Sequence, residues 1–152
     1  MKIEDEIQGR FRNEYHKGVI NLSYTNKQIS YEFAQSLKRH GLAEQQYNVL
    51  RILRGFRHAS PLSIGFIKAR MLDKNSDVSR IVDRLHEKGL ISRVENPKDR
   101  RQKHVAITVK GLDLLAQMLS CELEIDHLLK NLDETEIKEL NRLLDKIRNK
   151  ED

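Results

Sequence analysis

Apolar side chains recur at three- and four-residue intervals along most of the chain, as they do in amphipathic helices. The first such segment is predicted to stop at Gly41, because glycine commonly follows the last residue of a helix. A second helix is predicted in AEQQYNVLRILRGF. The apolar positions are Val19, Leu22, Ile29, Phe33 and Leu37 in the first helix and Tyr47, Leu50, Leu53 and Phe56 in the second.

Two shorter helices are predicted next, within a few residues of each other. Ser63 has the position of a cap for IGFIKARM, and Asp73 that of a cap for KNSDVSRIVDRLHEKG, which ends at Gly89. The inward positions are Ile64, Ile67 and Met71 in the first and Val78, Ile81, Val82 and Leu85 in the second. The polar face of the second helix consists of Ser76, Asp77, Ser79, Arg80 and Arg84. Such a short connection between two helices indicates a helix-turn-helix.

After Gly89 the spacing of apolar residues changes from the three- and four-residue steps of a helix to the two-residue steps of a strand. LISRVE and KHVAIT each alternate apolar and polar positions, and the turn-forming segment NPKDRR separates them. A β-hairpin, or wing, is therefore predicted directly after the helix-turn-helix, with its cations at the tip.

Two long helices are predicted in the C-terminal third. Thr108 caps VKGLDLLAQMLSCELEIDHLLK, which is apolar around much of its circumference. Asp133 and Glu136 have the spacing of a capping box at the start of the last helix, whose apolar stripe is Ile137, Leu140, Leu144 and Ile147. With the N-terminal helix, these segments carry more apolar surface than a small winged core needs. We infer a helical dimer interface; the alternative is a monomer with a larger core.

The predicted fold class is mainly α with a small β-hairpin wing: a winged helix-turn-helix plus long dimerisation helices. Residues 1–40 are assigned to the N-terminal helical part of the dimerisation region, 41–108 to the winged helix-turn-helix DNA-binding domain and 109–152 to the C-terminal dimerisation helices. A chain of 152 residues fits one domain with appended helices.

The location is predicted to be cytoplasmic, with no membrane partner. Cys121 is the single cysteine, which excludes an internal disulfide and suits a reducing compartment. The start, MKIEDEIQGR, lacks the apolar centre of a signal peptide. No run approaches the roughly 18 apolar residues that a membrane-spanning helix needs.

The net charge of +5 is concentrated in one quarter of the chain. Between Lys74 and Lys110 there are ten Lys and Arg residues but five Asp and Glu residues, so the remainder sums to zero. A localised excess of cations is typical of proteins that bind nucleic acids. The alternative is an ordinary solvated surface.

This order of elements resembles the MarR family, the multiple-antibiotic-resistance type of bacterial transcriptional regulators. SDVSRIVDRLHEKGLISR is similar to the family's recognition helix and following strand, and YNVLRIL also fits. NPKDRRQKHVAITVKG resembles its wing signature, here Asp99, Arg101, Ile107-Thr108 and Gly111. The resemblance covers about residues 15–150. It implies a homodimer that binds a pseudo-palindromic operator in double-stranded DNA, in many members a repressor released by a small phenolic or other anionic effector.

The recognition helix is expected to read base edges in the major groove from its N-terminal half. That places Ser76, Asp77, Ser79 and Arg80 near the bases, where Arg80 can bind O6 and N7 of guanine. Asp77 either accepts a hydrogen bond from cytosine N4 or orients Arg80. Arg84, one turn later, is expected at a phosphate. For each residue the alternative is a solvated position on an exposed helix.

The resemblance implies that Arg101 enters the minor groove, where a narrow groove concentrates negative potential. Asp99 can bind the guanidinium or the wing backbone and so fix the aim of Arg101, or it can simply form an Asx turn. Lys98, Arg100 and Lys103 are expected to contact phosphates and to supply affinity rather than sequence choice.

The resemblance also implies an effector pocket between the dimerisation helices and the winged domain. Its candidates, each of which also fits a core role, are Tyr15, His16, Tyr24, Tyr47, Phe56 and His58. Peroxide-sensing members carry a cysteine near the N-terminus, where this chain has Tyr15 and His16. Cys121 is expected to be a buried small apolar residue rather than a sensor.

No metal site, cofactor or catalytic residue is predicted. The six histidines are scattered without metal-ligand spacing, and the chain lacks a phosphate-cradling glycine loop and a nucleophile elbow. The leading hypothesis is a ligand-responsive DNA-binding regulator. The alternative is a winged-helix protein-interaction module without specific DNA binding; an enzyme would need a convergent polar pocket that the sequence does not indicate.

Overall fold

The computed structural model describes residues 1–96 and 98–149, without the side chains of Asn96 and Arg100. The described chain is mostly helical, with one small antiparallel sheet. The helices are α1 (Ile3–Ile7), α2 (Glu14–Lys38), α3 (Glu44–Gly55), α4 (Ile64–Arg70), α5 (Val78–Glu87), α6 (Val109–Gln117), α7 (Leu119–His127) and α8 (Glu134–Arg148), and a 3₁₀ turn spans Arg57–Ala59. The strands are β1 (Leu62–Ser63), β2 (Ile91–Asn96) and β3 (Asp99–Ile107). The predicted fold class is confirmed.

The helix ends follow the local sequence at several predicted positions. The Ser63 hydroxyl accepts a hydrogen bond from the Phe66 backbone N–H and caps α4. Asp133 and Glu136 form the predicted capping box of α8. Gly41 and Gly89 follow α2 and α5 with φ of +71° and +73°, a left-handed conformation that favours glycine.

The sheet has the order β1-β3-β2, so β3 is its central strand. Leu62 of β1 pairs with Val105, and Ile91 of β2 pairs with Ile107. β1 was not predicted, because two residues are too few to show an alternating pattern. β3 begins at Asp99, so the prediction that the cations sit at the tip of the hairpin needs correction. Lys98 lies in the turn, whereas Arg101 and Lys103 lie along the strand.

One continuous core joins the helix-turn-helix to the sheet. Its members that are almost inaccessible to solvent include Leu50 and Leu53 of α3, Ile67 of α4, Leu85 of α5 and Val105 of β3. Burial of a side chain of this size stabilises a fold by about 1.5–3 kcal/mol. Leu37, Leu115 and Met118 extend the same cluster into the flanking helices.

The single long helix predicted after Thr108 is wrong. The structure has two helices, α6 and α7, separated at Met118. The backbone N–H of Met118 is shared between the carbonyl oxygens of Leu114 and Leu115, an arrangement that tightens a helical turn. Because Met118 is fully buried, its packing fixes this break.

Candidate nucleic-acid interface

The recognition helix begins four residues later than its sequence suggests. Asp77, not Asp73, is its N-cap, and the Asp77 carboxylate accepts a hydrogen bond from the Arg80 backbone N–H at 3.2 Å. Asp73 instead accepts from the backbone N–H of Asn75 at 2.9 Å and shapes the turn before the helix. The predicted Asp73 cap is therefore wrong, because that carboxylate is used by an Asx turn.

Ser76 was placed on the exposed polar face, and this placement is wrong. The residue is only 4% exposed, because it lies in the turn rather than on the helix. The same turn is attached to α3, where the Asn48 side-chain oxygen accepts from the Leu72 backbone N–H at 2.9 Å. A buried hydroxyl cannot reach a base edge in this conformation.

The other recognition-helix candidates are exposed. Arg80 and Arg84 line a cleft of about 420 Å³ whose opposite wall is the start of α3, including Gln45 and Gln46. Neither arginine side chain forms an ion pair with a described residue. Two cations one helical turn apart at the mouth of a cleft suit a polyanionic backbone.

The wing candidates lie at a second cleft, of about 470 Å³, which they share with the recognition helix. Ser79 of α5 and Arg101 and Lys103 of β3 line it, together with Ser63, Ile64, Gly65 and Gln102. The Asp99 carboxylate accepts a hydrogen bond from the Arg101 backbone N–H at 2.9 Å, so Asp99 holds the wing backbone beside Arg101. The side chain of Arg100 lies outside the described residues.

An ion pair attaches the wing to the recognition helix. Arg93 of β2 binds the carboxylate of Asp83, on α5. Because both side chains are partly exposed, the pair contributes little to folding stability, and its role is to position β2 relative to α5. It links β2 to the helix at one point, between the two proposed DNA-contacting elements.

Residues at the start of α6 bind the end of the recognition helix, a role that sequence reasoning missed. The Thr108 hydroxyl donates to the Gly89 carbonyl at 2.7 Å and accepts from the Gly111 backbone N–H at 3.1 Å. The Lys110 ammonium donates to the Lys88 carbonyl at 2.9 Å. The Thr-x-x-Gly part of the wing signature thus joins α5 to α6, and its only sequence signal was the expected helix cap at Thr108.

The six effector-pocket candidates are not brought together. Tyr15 is 88% exposed, Tyr24 donates to Glu6 near the N-terminus, and Tyr47 is buried in α3. Phe56 and His58 form an aromatic contact at the far end of α3. A cavity of about 730 Å³ does lie between α2 and α7, but its lining, which includes Phe33, Ser36, Leu123, Glu124, Leu128 and Lys130, contains none of the six.

Cys121 is buried, as expected, and its sulfur lies 3.2 Å from Nε2 of His40. Among residues 1–96 and 98–149, His, Cys, Asp and Glu side chains form no cluster that could hold a metal ion. Within the same ranges, no helix is both long and apolar enough to cross a bilayer.

A helix-turn-helix whose second helix shares a basic cleft with a β-hairpin defines a winged helix-turn-helix DNA-binding protein. Comparison with known proteins narrows the class. Residues 40–102 match the model of the MarR family. The solved MarR transcription factor from Planctomyces limnophilus is 30% identical, with a TM-score of 0.69 over 90% of this chain and 98% of that one. The protein belongs to the MarR family of transcription regulators, which are not enzymes.

Two curated relatives come from Bacillus subtilis (strain 168). The HTH-type transcriptional regulator MhqR is 28% identical over 132 residues, which make up 86% of this chain and 89% of the relative. The HTH-type transcriptional repressor MdtR is 35% identical over 92 residues, or 60% of this chain and 57% of that protein. The match to MdtR thus spans a little over half of each protein.

Proposed function

We propose that this protein is a repressor that binds a pseudo-palindromic operator as a homodimer and is released by a small phenolic or other anionic effector. Residues 41–108 form the DNA-binding part, and residues 1–40 and 109–152 form the dimerisation region. The observation that carries the proposal is the cleft in which Ser79 of the recognition helix lies beside Arg101 and Lys103 of the wing.

In this proposal the two elements read adjacent grooves. Arg80 binds the edge of a guanine in the major groove, and Arg84 binds a phosphate. Asp77 orients Arg80 by capping the helix at the Arg80 backbone N–H. Arg101 enters the minor groove, and its backbone is held there by Asp99. Lys98, Arg100 and Lys103 add phosphate contacts.

The exposed apolar surface of the long helices supports the homodimer. The residues that are exposed in the single chain include Val19 and Leu22 of α2, Leu123 of α7, and Leu143 and Ile147 of α8. MarR-family regulators typically act as dimers. Two recognition helices related by a two-fold axis suit half-sites about one helical turn apart, roughly 34–36 Å. The repressor assignment is supported by the name of the relative MdtR.

The cavity between α2 and α7 supports the effector part of the proposal. Phe33 and Leu128 offer apolar surface to a phenol ring, while His127 and Lys130 offer cations or donors to an anionic group. We expect 4-hydroxybenzoate, a phenolic anion, to release the protein from DNA in a concentration-dependent way. Release that is equal with benzenesulfonate and with chloride at matched ionic strength would contradict effector binding.

The test of DNA recognition is fluorescence anisotropy with duplex DNA from upstream of the protein's own gene and with an unrelated duplex, at low and near-physiological salt. Specific recognition predicts that the upstream duplex binds at least about 10³-fold more tightly at the higher salt. Arg80→Ala is expected to weaken specific binding about tenfold or more and to relax base preference at one position. Arg101→Ala is expected to weaken specific binding as well.

Arg142→Ala is the matched control, because it removes an exposed arginine of α8 that pairs with Glu139. It should leave the anisotropy titration unchanged. Equal binding of both duplexes with release by salt would mean a non-specific polyelectrolyte contact. Absence of DNA binding at low salt would instead favour a protein-interaction module.

A further inference from the structure

One carboxylate on α7 is contacted by two side chains of α3. The Tyr47 hydroxyl donates to Oε1 of Glu122 at 2.8 Å, and Nη2 of Arg54 donates to the same oxygen at 3.0 Å. The Glu122 side chain is 23% exposed, so this contact is largely shielded from water. Hydrogen bonds to an ionised acceptor in such a setting are roughly twice as strong as neutral ones.

Tyr47 lies where three helices meet. Its ring packs edge-to-face against Phe33 of α2, with 5.4 Å between the ring centroids. Burial, together with the bond to Glu122, raises the pKa of Tyr47 to about 12. The hydroxyl therefore keeps its proton at neutral pH and remains a donor to the carboxylate.

A second carboxylate, two residues further along α7, is bound to α2. Glu124 accepts from Nη2 of Arg39 at 2.6 Å and from the Ser36 hydroxyl at 3.3 Å. α7 is thus attached to α2 and α3 by separate contacts. Of the two helices, α3 is the one that packs directly against the recognition helix α5 and the central wing strand β3.

Two polar attachments join the winged part to the C-terminal helices, in addition to the packing of α6 against α3 in the shared core. The Glu122 contact is the second of them. The first is at the start of α6, where Thr108 and Lys110 bind the end of α5. The break at Met118 lies between the two attachments. Because the Glu122 contact lies beyond this break, it holds α7 to α3 and adds to the packing of α6 in fixing the orientation of the winged part.

We propose that Glu122 is a positioning residue that sets the orientation of the recognition helix relative to the dimerisation helices, and thereby the half-site spacing that the dimer accepts. This inference rests on the proposed function as an operator-binding homodimer. The Tyr47 and Arg54 contacts of Glu122 transmit the geometry of α7 to α3, and α3 transmits it to α5.

The first test needs no DNA. Nitroxide labels are placed at Glu87→Cys, at the exposed end of α5, and at Asp126→Cys, on α7, in a Cys121→Ala background. Labelled protein is diluted with unlabelled protein, so that the distance measured by pulsed electron paramagnetic resonance is within one protomer. Glu122→Ala is expected to broaden or shift the distance distribution, and Tyr47→Phe to do so less.

Glu139→Ala is the control, since it breaks a carboxylate–arginine pair on the exposed side of α8. Its distribution should match that of the unaltered protein. Glu122→Gln retains an acceptor of the same shape and should lie between the unaltered protein and Glu122→Ala. It also keeps the test available if Glu122→Ala fails to fold. A Glu122→Gln or Glu122→Ala distribution with the same mean and width as that of the unaltered protein would overturn the proposal, regardless of the result of the DNA-binding test.

The second test measures spacing. Duplexes are selected by the unaltered protein from a random pool, and one base pair is then inserted at the centre of the selected site. The insertion separates the half-sites by about 3.4 Å and rotates one relative to the other. The unaltered protein should lose affinity on insertion, and Glu122→Ala should reduce that loss by about tenfold, the effect expected of a charged hydrogen bond.

The salt dependence of binding should be equal in the two proteins, because Glu122 makes no phosphate contact. A broadened distance distribution with unchanged spacing discrimination would overturn the proposal, since the contact would then be structural only. If no duplex is selected, the operator-binding function fails. The part of the proposal that concerns half-site spacing then fails with it. The distance measurement still decides separately whether Glu122 orients the recognition helix.

Discussion

Gly111 shows how closely α6 approaches the winged core. A Cβ atom built on Gly111 would lie 2.4 Å from the Leu90 carbonyl oxygen and 2.7 Å from Cγ1 of Ile107. Neither neighbour can yield easily, because one is backbone and the other packs against the core. This close approach lets Thr108 and Lys110 reach the end of the recognition helix.

We predict that Gly111→Ala lowers the free energy of unfolding by about 1–3 kcal/mol, the usual range for overpacking a well-packed site. Chemical denaturation followed by circular dichroism measures the change. Gly18→Ala is the control, because Gly18 lies within α2 and nothing would contact its added methyl group. That variant should gain roughly 0.5–1 kcal/mol from the helix preference of alanine. A neutral Gly111→Ala would show that the α5–α6 junction is not closely packed.

Single residues illustrate what the sequence reveals and what it hides. The apolar stripe of α5 was predicted in full, since Val78, Ile81, Val82 and Leu85 are all buried. The cap was misplaced because Asp73 and Asp77 are both competent capping residues. Only the turn fixed by Asn48 decides between them. Ser76 is buried because it lies in this turn, and the spacing of polar residues along the sequence could not show this.

At the scale of the element, the start of the recognition helix combines a structural role with a proposed functional one. The carboxylate of Asp77 satisfies a backbone N–H that the helix itself leaves unpaired. The same bond positions the first turn, from which Ser79 and Arg80 project. Folding of the helix end and presentation of the proposed DNA-reading residues therefore depend on one side chain.

We predict that Asp77→Ala destabilises the fold by about 1 kcal/mol, the typical effect of removing a helix cap. It should also weaken binding to the selected duplex. Asp77→Asn retains a capping oxygen and should restore most of the stability, which thermal unfolding would measure. If Asp77→Asn restores stability but not DNA affinity, the carboxylate contacts DNA directly and capping is not its whole role.

Elements with a strong internal period were predicted, and those fixed by long-range contacts were not. α2, α3, α4 and the hairpin follow from their own residues. The two-residue strand β1 exists only because β3 pairs with it. The apolar pattern of the sequence continues through the break between α6 and α7. The break therefore depends on the packing of Met118 and not on a local sequence signal. The contact of Glu122 with Tyr47 and Arg54 joins residues 68 or more positions apart and left no local signal.

At the scale of the whole molecule, α8 has a complete amphipathic pattern, but its apolar stripe is at most half-buried, at Ile137, Leu140 and Leu144. None of its residues is buried, and Ile147 is 66% exposed. An apolar stripe of this length is costly to leave in water, which supports its burial in the proposed homodimer. In the proposed homodimer, this interface sets how far apart the two recognition helices lie.

We predict that Ile147→Asp shifts the protein from dimer to monomer, because it places a charge within the apolar stripe of α8. Sedimentation velocity at micromolar concentration measures the change, and affinity for a palindromic duplex should fall with it. Thr135→Asp makes the same change of charge at an exposed position of α8 outside the stripe and should remain a dimer. A dimeric Ile147→Asp variant would place the subunit interface elsewhere.

The central position of β3 constrains how the wing can change in evolution. Lys103 and Val105 lie two residues apart in the regularly paired part of β3, so they share a face of the sheet. Val105 is fully buried and paired with both Leu62 and Arg93. A one-residue insertion between Lys103 and Val105 would turn either the lysine or the valine to the wrong side. Lengthening of the regularly paired part is therefore expected in steps of two residues, whereas the irregular stretch between Asp99 and Lys103 can take single residues without displacing a core position.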